Sequence, residues 1–216
     1  MRTLIRSDLP AAAALHEIVL REEFIARGGR PFLRAYYLGW ITSGSDLSLA
    51  AVDSAGDLVG VLLGSVDPAT HYRRMLRTVG WRLALHLTLH ALSHPSFARE
   101  LVVTRSRRYA GGALRAARGA LQRHPAGGPS PAPPERGGEV THVLVRPDRQ
   151  GTGVGRSLLS AAAAEARTAG LSSLTLVTPP ELADSGFYDR LGWRRGGSAI
   201  SRSGEGFVTY ELDLDG

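Results

Sequence analysis

The sequence predicts an α/β protein whose mixed sheet carries helices on its faces. Two observations lead to this prediction: two β-like runs with the pattern of a hairpin lie in the N-terminal part, and a strand–helix–strand unit follows nearer the C-terminus. The chain has 216 residues, of which 43% are hydrophobic, so it is long enough for one core and an inserted segment.

The N-terminal part is predicted to contain a short strand, two helices and a hairpin. Pro10 fits the first turn of a helix, and Gly28-Gly29 stops that helix. Pro31 opens the second helix, and the turn Ser54-Ala-Gly-Asp57 separates two β-like runs. The predicted segments are strand 3–6, helix 11–27, helix 31–41, strand 47–53 and strand 58–67.

The C-terminal part is predicted to alternate strands and helices. A strand rich in β-branched residues leads into an alanine-rich helix, and Gly170 lies where that helix should stop. The predicted segments are strand 139–145, helix 153–169, strand 171–178, short helix 185–191 and strand 207–214.

Two residue types are missing, and their absence excludes several kinds of chemistry. The chain has no cysteine, which excludes disulfides, cysteine-ligated zinc, iron–sulfur clusters and a thiol nucleophile. It has no lysine either, which excludes a Walker-type phosphate loop and a Schiff-base lysine. No apolar run approaches the ~18 residues that span a bilayer, so we predict a cytoplasmic protein.

The net charge of +6 is concentrated in one segment. Eleven arginines and one acid, Glu100, lie between His71 and Arg123, a local balance of +10. The next stretch is rich in proline and glycine, which oppose regular hydrogen bonding and favour a flexible loop. The predicted organisation is one domain formed by 1–67 and 139–216, a basic helical insertion at 68–123 and a flexible loop at 124–138.

A glycine-rich turn lies between predicted strand 139–145 and the following helix. The segment Gln150-Gly-Thr-Gly-Val-Gly155 lets the backbone approach an anion, and the helix start directs unpaired N–H groups toward it. This turn is suited to phosphate. A dinucleotide fingerprint is excluded because it needs a glycine where Arg156 stands, and no G-x-S-x-G nucleophile elbow occurs in the chain.

Two motifs together resemble those of the GNAT acetyltransferase family. Val145-Arg-Pro-Asp-Arg-Gln-Gly-Thr-Gly-Val-Gly155 is similar to the family's acetyl-CoA-binding motif, Gln/Arg-x-x-Gly-x-Gly/Ala after a strand and a proline. Phe187-Tyr-Asp-Arg-Leu-Gly-Trp193 is similar to its second signature, an aromatic pair followed by a Gly-aromatic step. The resemblance covers 139–214 well and 1–67 loosely. It implies the GNAT fold, a mixed and mostly antiparallel sheet flanked by helices, here with the Arg-rich insertion between strands 3 and 4.

The resemblance also implies which residues bind acetyl-CoA, the family's cosubstrate. Backbone amides of the glycine-rich turn would hold the pyrophosphate, and the strand before it would pair with the pantetheine arm. The N–H of Val145 would face the thioester oxygen. Tyr188 matches the family tyrosine that protonates the departing thiolate, with a purely structural core aromatic as the alternative. The implied coenzyme-binding residues are Leu144, Val145, Gln150, Gly151, Thr152, Gly153, Val154, Gly155 and Arg156.

Two residues are candidates for the base that removes a proton from the attacking amine. Glu139 begins the motif strand and matches a position that is often acidic in the family, and His142 follows three residues later. In an ideal strand their odd offset places the two side chains on opposite faces, whereas a β-bulge would change that count. We rank Glu139 first and His142 second, and keep transfer through water as a third alternative.

The basic segment allows several interpretations. We predict a helix at 73–92 in which Arg82, His86 and His90 form a polar stripe. The His-x-x-x-His spacing suits zinc, but no nearby acid completes a site, so we predict no metal. A solvated face is the simplest interpretation. The sharper alternatives are an anion pocket for a phosphorylated or nucleotide-linked acceptor, a peripheral membrane contact and, least favoured, a nucleic-acid surface.

The sequence as a whole predicts an N-acetyltransferase that transfers acetyl from acetyl-CoA to a primary amine by direct attack. Small-molecule amines, aminosugars, peptide N-termini and protein lysines all fit as acceptors, and a monomer fits as well as a homodimer. The alternative is a catalytically silent acyl-CoA-binding regulator that uses its basic insertion to hold a partner, a membrane or nucleic acid.

Overall fold

The computed structural model describes residues 1–21, 23–42, 46–100, 137–200 and 206–215. The chain divides into two compact units, the first formed by Met1–His86 with Glu135–Gly216 and the second by Leu87–Pro134. The predicted insertion boundary at residue 68 therefore differs from the boundary of the units, which falls inside a long helix.

The first unit is built on a seven-stranded sheet. In the described part of the chain its order is β1-β2-β3-β4-β5-β7-β6, and every neighbouring pair is antiparallel except β4 and β5. This confirms the predicted mixed, mostly antiparallel sheet. The strands are β1 (Arg2–Thr3), β2 (Asp46–Val52), β3 (Leu58–Ser65), β4 (Gly137–Val145), β5 (Ser173–Thr178), β6 (Arg194–Ile200) and β7 (Gly206–Asp213).

Seven helices are found among the described residues. They are α1 (Leu9–Val19), α2 (Phe24–Arg27), α3 (Gly29–Thr42), α4 (Pro68–Ser93), α5 (Pro95–Glu100), α6 (Val154–Thr168) and α7 (Pro180–Asp184). Three short 3₁₀ turns cover Arg6–Asp8, Pro147–Arg149 and Asp189–Leu191. None of these helices combines the length and the apolar character that crossing a bilayer requires.

The two faces of the sheet carry separate hydrophobic cores. On one face, α6 buries Leu158, Ala162 and Ala166, which lie four residues apart and so share one side of the helix. On the other face, α1 and α3 cover the N-terminal strands with a core that includes Tyr37 and Trp40, both fully buried. Helices thus flank the sheet on both sides, as predicted.

The first half of α4 belongs to the core of the first unit. Met75 and Val79 are buried there, and a Cβ added to Gly39 of α3 would lie only 2.5 Å from the Met75 side chain. Glycine at that position therefore lets α3 and α4 pack closely. The predicted helix 73–92 is confirmed and is longer at its N-terminal end.

The second unit contains the end of α4 and α5 among its described residues. Phe97 of α5 is 3% exposed, and its ring meets that of His90 edge-on at 5.1 Å. The rings of His90 and His94 stack with centroids 4.0 Å apart. Six of the eleven arginines of the basic segment, and residues 124–136 of the predicted loop, lie outside the described residues. Gly137 and Gly138, predicted as loop, are the first residues of β4.

Two predicted helices differ from the structure. The predicted helix 11–27 is interrupted: α1 ends at Val19, and Glu23 is extended (φ −67°, ψ 140°) before α2 begins. The predicted helix 185–191 is wrong, because Pro180 opens α7 earlier and Gly186 adopts a left-handed φ of 67°. The predicted strand 3–6 corresponds to a shorter strand, Arg2–Thr3. Strand β6 was not predicted from the sequence.

Candidate active site

The neighbouring strands β4 and β5 pair along only part of their length. Their parallel register ends with Val140 opposite Leu176, whereas β4 continues to Val145 and β5 to Thr178. The last part of β4 still pairs with β3 on its other side. We term the unpaired edge the β4–β5 cleft. No described strand fills it, so an extended ligand can pair with the free backbone groups of β4.

The hydrogen-bond alternation of β4 determines which amides face this cleft. The N–H of Arg146 donates to the carbonyl of Val59 at 2.9 Å, which makes these two residues a hydrogen-bonded pair of the antiparallel ladder. Because such pairs alternate with non-hydrogen-bonded pairs, the N–H groups of Val145 and Val143 point into the cleft. The backbone of Leu144 faces β3 instead, so Leu144 can contribute only its buried side chain. The backbone N–H on the cleft side therefore belongs to Val143, which was not among the predicted site residues, and not to Leu144.

The glycine-rich turn connects β4 to the N-terminus of α6. Gly151 and Gly153 have left-handed φ angles of 75° and 89°, which explains why glycine occupies both positions. The side-chain amide of Gln150 donates to the Val145 carbonyl at 3.3 Å and fixes the turn against the strand. The N–H groups in the first turn of any helix have no intrahelical partner. Helix α6 begins at Val154 without a side-chain cap, so no capping side chain satisfies these groups.

The space around the turn is open where an anion would approach. A Cβ built on Gly153 would have no neighbour within 4 Å. A Cβ on Gly155 would instead lie 3.4 Å from the Phe187 ring and 3.6 Å from Val145, so Gly155 allows close packing of α6 rather than ligand access. The exposed residues of the turn are Gln150, Gly151, Thr152, Gly153 and Arg156, and Val154 and Gly155 are partly buried.

Tyr188 lies in the hydrophobic core but at the end that adjoins β5. It is 5% exposed, with ring centroids 5.1 Å from Phe187, 6.2 Å from Trp193 and 5.1 Å from Tyr210. Burial raises the pKa of Tyr188, and the nearby hydroxyl of Thr178, the last residue of β5, opposes that rise. The phenol therefore keeps its proton at neutral pH and can serve as a donor. Its ring also has the structural role considered above.

A β-bulge decides the orientation of the two candidate bases. The register between β3 and β4 shifts by one residue at Thr141. Val140 and Val143 consequently contact the same core beneath α6, although their offset is odd. Glu139 and His142, which each precede one of these valines, therefore lie together on the opposite face. The two side chains do not point to opposite faces, as they would in an ideal strand. The β-bulge that was considered as the alternative is present.

His142 is surrounded by polar groups from the N-terminal helices. It is 8% exposed, and its Nε2 lies 3.4 Å from a carboxylate oxygen of Glu23. The same oxygen lies 3.8 Å from Nε2 of His16, a fully buried side chain of α1. The Nδ1 of His16 lies 3.1 Å from the hydroxyl of Tyr37. His16 and Glu23 belong to no motif in the sequence and were not among the predicted site residues.

The electrostatics of this group keep His16 neutral. The pKa of His16 is lowered to about 4, chiefly by burial; the neighbouring His142 also lowers it, and Glu23 opposes both effects. For Glu23, burial raises the pKa, but the hydrogen bond from His142 and the charges of both histidines lower it by more in total. At neutral pH the group therefore holds an ionised carboxylate beside an uncharged imidazole.

Glu139 borders a groove on the face of the sheet opposite α6. The strand registers align Glu139, Thr175, Glu211 and Arg194 in one row across four strands. These residues line a groove of about 520 Å³ together with Val177, whose side chain is exposed. Unlike His142, Glu139 is therefore reachable by a solute.

Parallel strands that part toward one end, amides that face the gap between them and an uncapped helix after a glycine turn are the features that the resemblance to the GNAT family implies. The sequence matches the model of the acetyltransferase (GNAT) family over residues 12–193. The chain therefore belongs to the GNAT acetyltransferase family.

Solved structures with the same fold include several acetyltransferases. A putative GNAT acetyltransferase from Desulfovibrio desulfuricans is 14% identical, with a TM-score of 0.54 and coverage of 99% of this chain and 97% of that chain. A mutant of the spermidine N-acetyltransferase SpeG from Vibrio cholerae is 13% identical, with a TM-score of 0.58 and coverage of 99% and 94%. The ribosomal-protein-S18-alanine N-acetyltransferase from Escherichia coli is 13% identical, with a TM-score of 0.55 and coverage of 99% and 92%. No curated protein sequence matches the chain.

Proposed function

We propose that the protein transfers an acetyl group from acetyl-CoA to a primary amine by direct attack. The observation that carries the proposal is the row of cleft-facing amides, Val143 and Val145, that leads directly to the uncapped start of α6. An extended pantetheine arm fits the first feature, and a pyrophosphate fits the second.

Each part of the coenzyme is assigned to a feature of β4 or of the start of α6. The first-turn amides of α6 and the open space at Gly153 suit the pyrophosphate, while the exposed guanidinium of Arg156 adds positive charge. The N–H of Val145 donates to the thioester oxygen, where negative charge develops as the amine attacks. Acetyl-CoA supplies the activated acyl group, and the backbone of β4 orients it.

Two side chains are proposed to move protons. Tyr188 donates its proton to the thiolate that departs from the carbonyl carbon, a role supported by its protonated state and its location beside the end of β5. Glu139 accepts a proton from the acceptor amine, directly or through water, because it borders the groove that a solute can enter. His142 is less suited because its Nε2 contacts Glu23 and its side chain is buried.

A thiol-release assay tests the proposal with little background. The protein has no cysteine, so a thiol reagent added to the purified chain detects only the CoA that the reaction releases. Acetyl-CoA is supplied with four classes of acceptor: a polyamine, an aminosugar, a peptide with a free N-terminus and a lysine-containing peptide. We expect acceptor-dependent thiol release with at least one class, and acetylated amine of equal amount by mass spectrometry.

The same assay distinguishes an enzyme from a regulator. Saturable acetyl-CoA binding without acceptor-dependent thiol release across all four classes would favour the acyl-CoA-binding regulator. Absence of acetyl-CoA binding would contradict both functions.

A further inference from the structure

Three side chains that commonly bind metal ions meet on the α1/α3 face of β4. His16 from α1, Glu23 from the link before α2 and His142 from β4 each direct one ligand atom toward the other two, and the three atoms lie within 4.8 Å of one another. We call these residues the His16–Glu23–His142 cluster. The proposed acetyl transfer uses neither His16 nor Glu23.

The two separations from Glu23 suit an ion shared with each histidine, and all three ligand atoms lie within 4.8 Å of one another. Zinc binds imidazole nitrogen at about 2.0–2.1 Å and carboxylate oxygen at about 2.0–2.2 Å, so tetrahedral ligand atoms lie about 3.4 Å apart. The Glu23 oxygen lies 3.4 Å from Nε2 of His142 and 3.8 Å from Nε2 of His16. Glu23 is on a short non-helical link and is partly exposed, so its carboxylate can adjust to an ion.

His16 has an environment that a metal ligand needs. Its side chain is fully buried, and its Nε2 has no hydrogen-bond partner among the described residues. The other ring nitrogen lies 3.1 Å from the hydroxyl of Tyr37, and this contact orients the ring. A buried polar atom without a hydrogen-bond partner is costly, and a cation bound between Nε2 and the Glu23 carboxylate would remove that cost.

We propose that the His16–Glu23–His142 cluster binds a divalent transition metal of the Zn²⁺ type. Two imidazoles and one carboxylate leave a fourth position for water or for a substrate atom. No metal was predicted from the sequence, in which the histidines with a metal-binding spacing are those one helical turn apart in α4. Bound metal occupies Nε2 of His142, so a metal-loaded protein cannot use that atom as a base.

Calorimetric titration of the whole chain with ZnCl₂, after treatment with a chelator and dialysis, tests the inference without acetyl-CoA. We expect one equivalent of Zn²⁺ bound with micromolar or tighter affinity. Co²⁺ in place of Zn²⁺ should give the intense visible absorption of a four- or five-coordinate ion. Glu23→Gln and His142→Gln should each weaken Zn²⁺ binding at least tenfold, with circular dichroism used to check that both variants are folded.

His94→Gln is the matched control, because His90 and His94 stack one helical turn apart and offer a second pair of imidazoles. It should bind Zn²⁺ as the unmodified chain does. The inference is overturned if the unmodified chain takes up no stoichiometric Zn²⁺. Binding that is lost in His94→Gln but kept in Glu23→Gln overturns it as well. Because binding is measured in the absence of acetyl-CoA, failure here leaves the proposed acetyl transfer intact.

Discussion

Glu139 and His142 lie on the same face of β4 although they are three positions apart along the strand. The one-residue register shift against β3 produces this relationship. Their surroundings nevertheless differ: Glu139 borders an open groove, whereas His142 packs beneath α1 and α3 beside Glu23. Substitutions at these two positions therefore compare an accessible candidate base with a buried one on the same face of β4.

Replacement of Glu139 by Gln should lower kcat by about 10²-fold, because general-base catalysis contributes roughly 10² to 10⁴. The KM for acetyl-CoA should change little, since Glu139 is not part of the glycine-rich turn. Steady-state kinetics with a saturating acceptor measures this. If Glu139→Gln keeps full activity and His142→Gln loses it, the base is His142.

Replacement of Gly153 by Asp should abolish the stabilisation that acetyl-CoA provides. The added carboxylate lies in the open space at the start of α6 and repels pyrophosphate, and the side chain strains a φ of 89°. In the unmodified chain, ligand at 100 times its dissociation constant adds about 2.7 kcal/mol, which a melting experiment detects.

Gly170→Asp is the matched control for that experiment. Gly170 follows the opposite end of α6, has a φ of 74° and also has no atom within 4 Å of a built Cβ. Its replacement should lower the free energy of unfolding by a similar amount, about 1 kcal/mol, while acetyl-CoA still raises the melting temperature. Equal loss of the response in both variants would contradict the assignment of the pyrophosphate site.

Replacement of Gly155 by Asp should also abolish the acetyl-CoA response, but for a different physical reason. A Cβ at this position fits in contact with Phe187 and Val145, but we expect the carboxylate beyond it to displace the start of α6 from the sheet. The variant should therefore melt at a lower temperature even without ligand. An unchanged acetyl-CoA response in Gly155→Asp would show that the helix start tolerates this displacement.

Replacement of Tyr188 by Phe should lower kcat roughly tenfold to a thousandfold and leave coenzyme binding near that of the unmodified chain. Only the hydroxyl is lost, and the ring still fills the space beside Tyr210. Tyr210→Phe is the control, since it removes another hydroxyl of the same core, one that donates to Asp189 at 3.0 Å. It should change stability but not kcat. Similar kcat for the two variants would assign Tyr188 a structural role only.

Asp8 should make folding stability depend on acid pH. Two hydrogen bonds from Arg2, at 2.6 and 2.7 Å, lower the pKa of Asp8 by more than burial raises it. The stabilisation is therefore complete above the ordinary carboxylate pKa of about 3.9 and is lost as pH falls through the lower folded value. Asp8→Asn should cost about 1–3 kcal/mol in urea unfolding at pH 7. The difference between the two proteins should shrink at pH 2 to 3; a constant difference would contradict the ion-pair explanation.

The order of most strands and helices along the chain, and the local motifs, could be predicted from the sequence for physical reasons. Alternating β-branched runs, the leucine and alanine face of α6 and the glycines of the turn are local signals, and the structure has β2, β3, α6 and β5 close to their predicted bounds. Gly151 and Gly153 were identifiable because only glycine adopts their backbone angles readily. The family resemblance rests on those same local segments.

Tertiary structure alone decided the features that depend on distant residues. The bulge in β4 arises from pairing with β3, and it turns Glu139 to the same face as His142. The break after α1 contains neither glycine nor proline, yet it brings Glu23 to His142, more than a hundred positions away in the chain. Met75 and Val79 belong to the core on the α1/α3 face of the sheet because Gly39 leaves room for them, so the basic segment contains part of the first unit. The sequence determined the local conformations and the coenzyme motif, whereas long-range packing determined which side chains meet around them, because that outcome depends on contacts that no local pattern encodes.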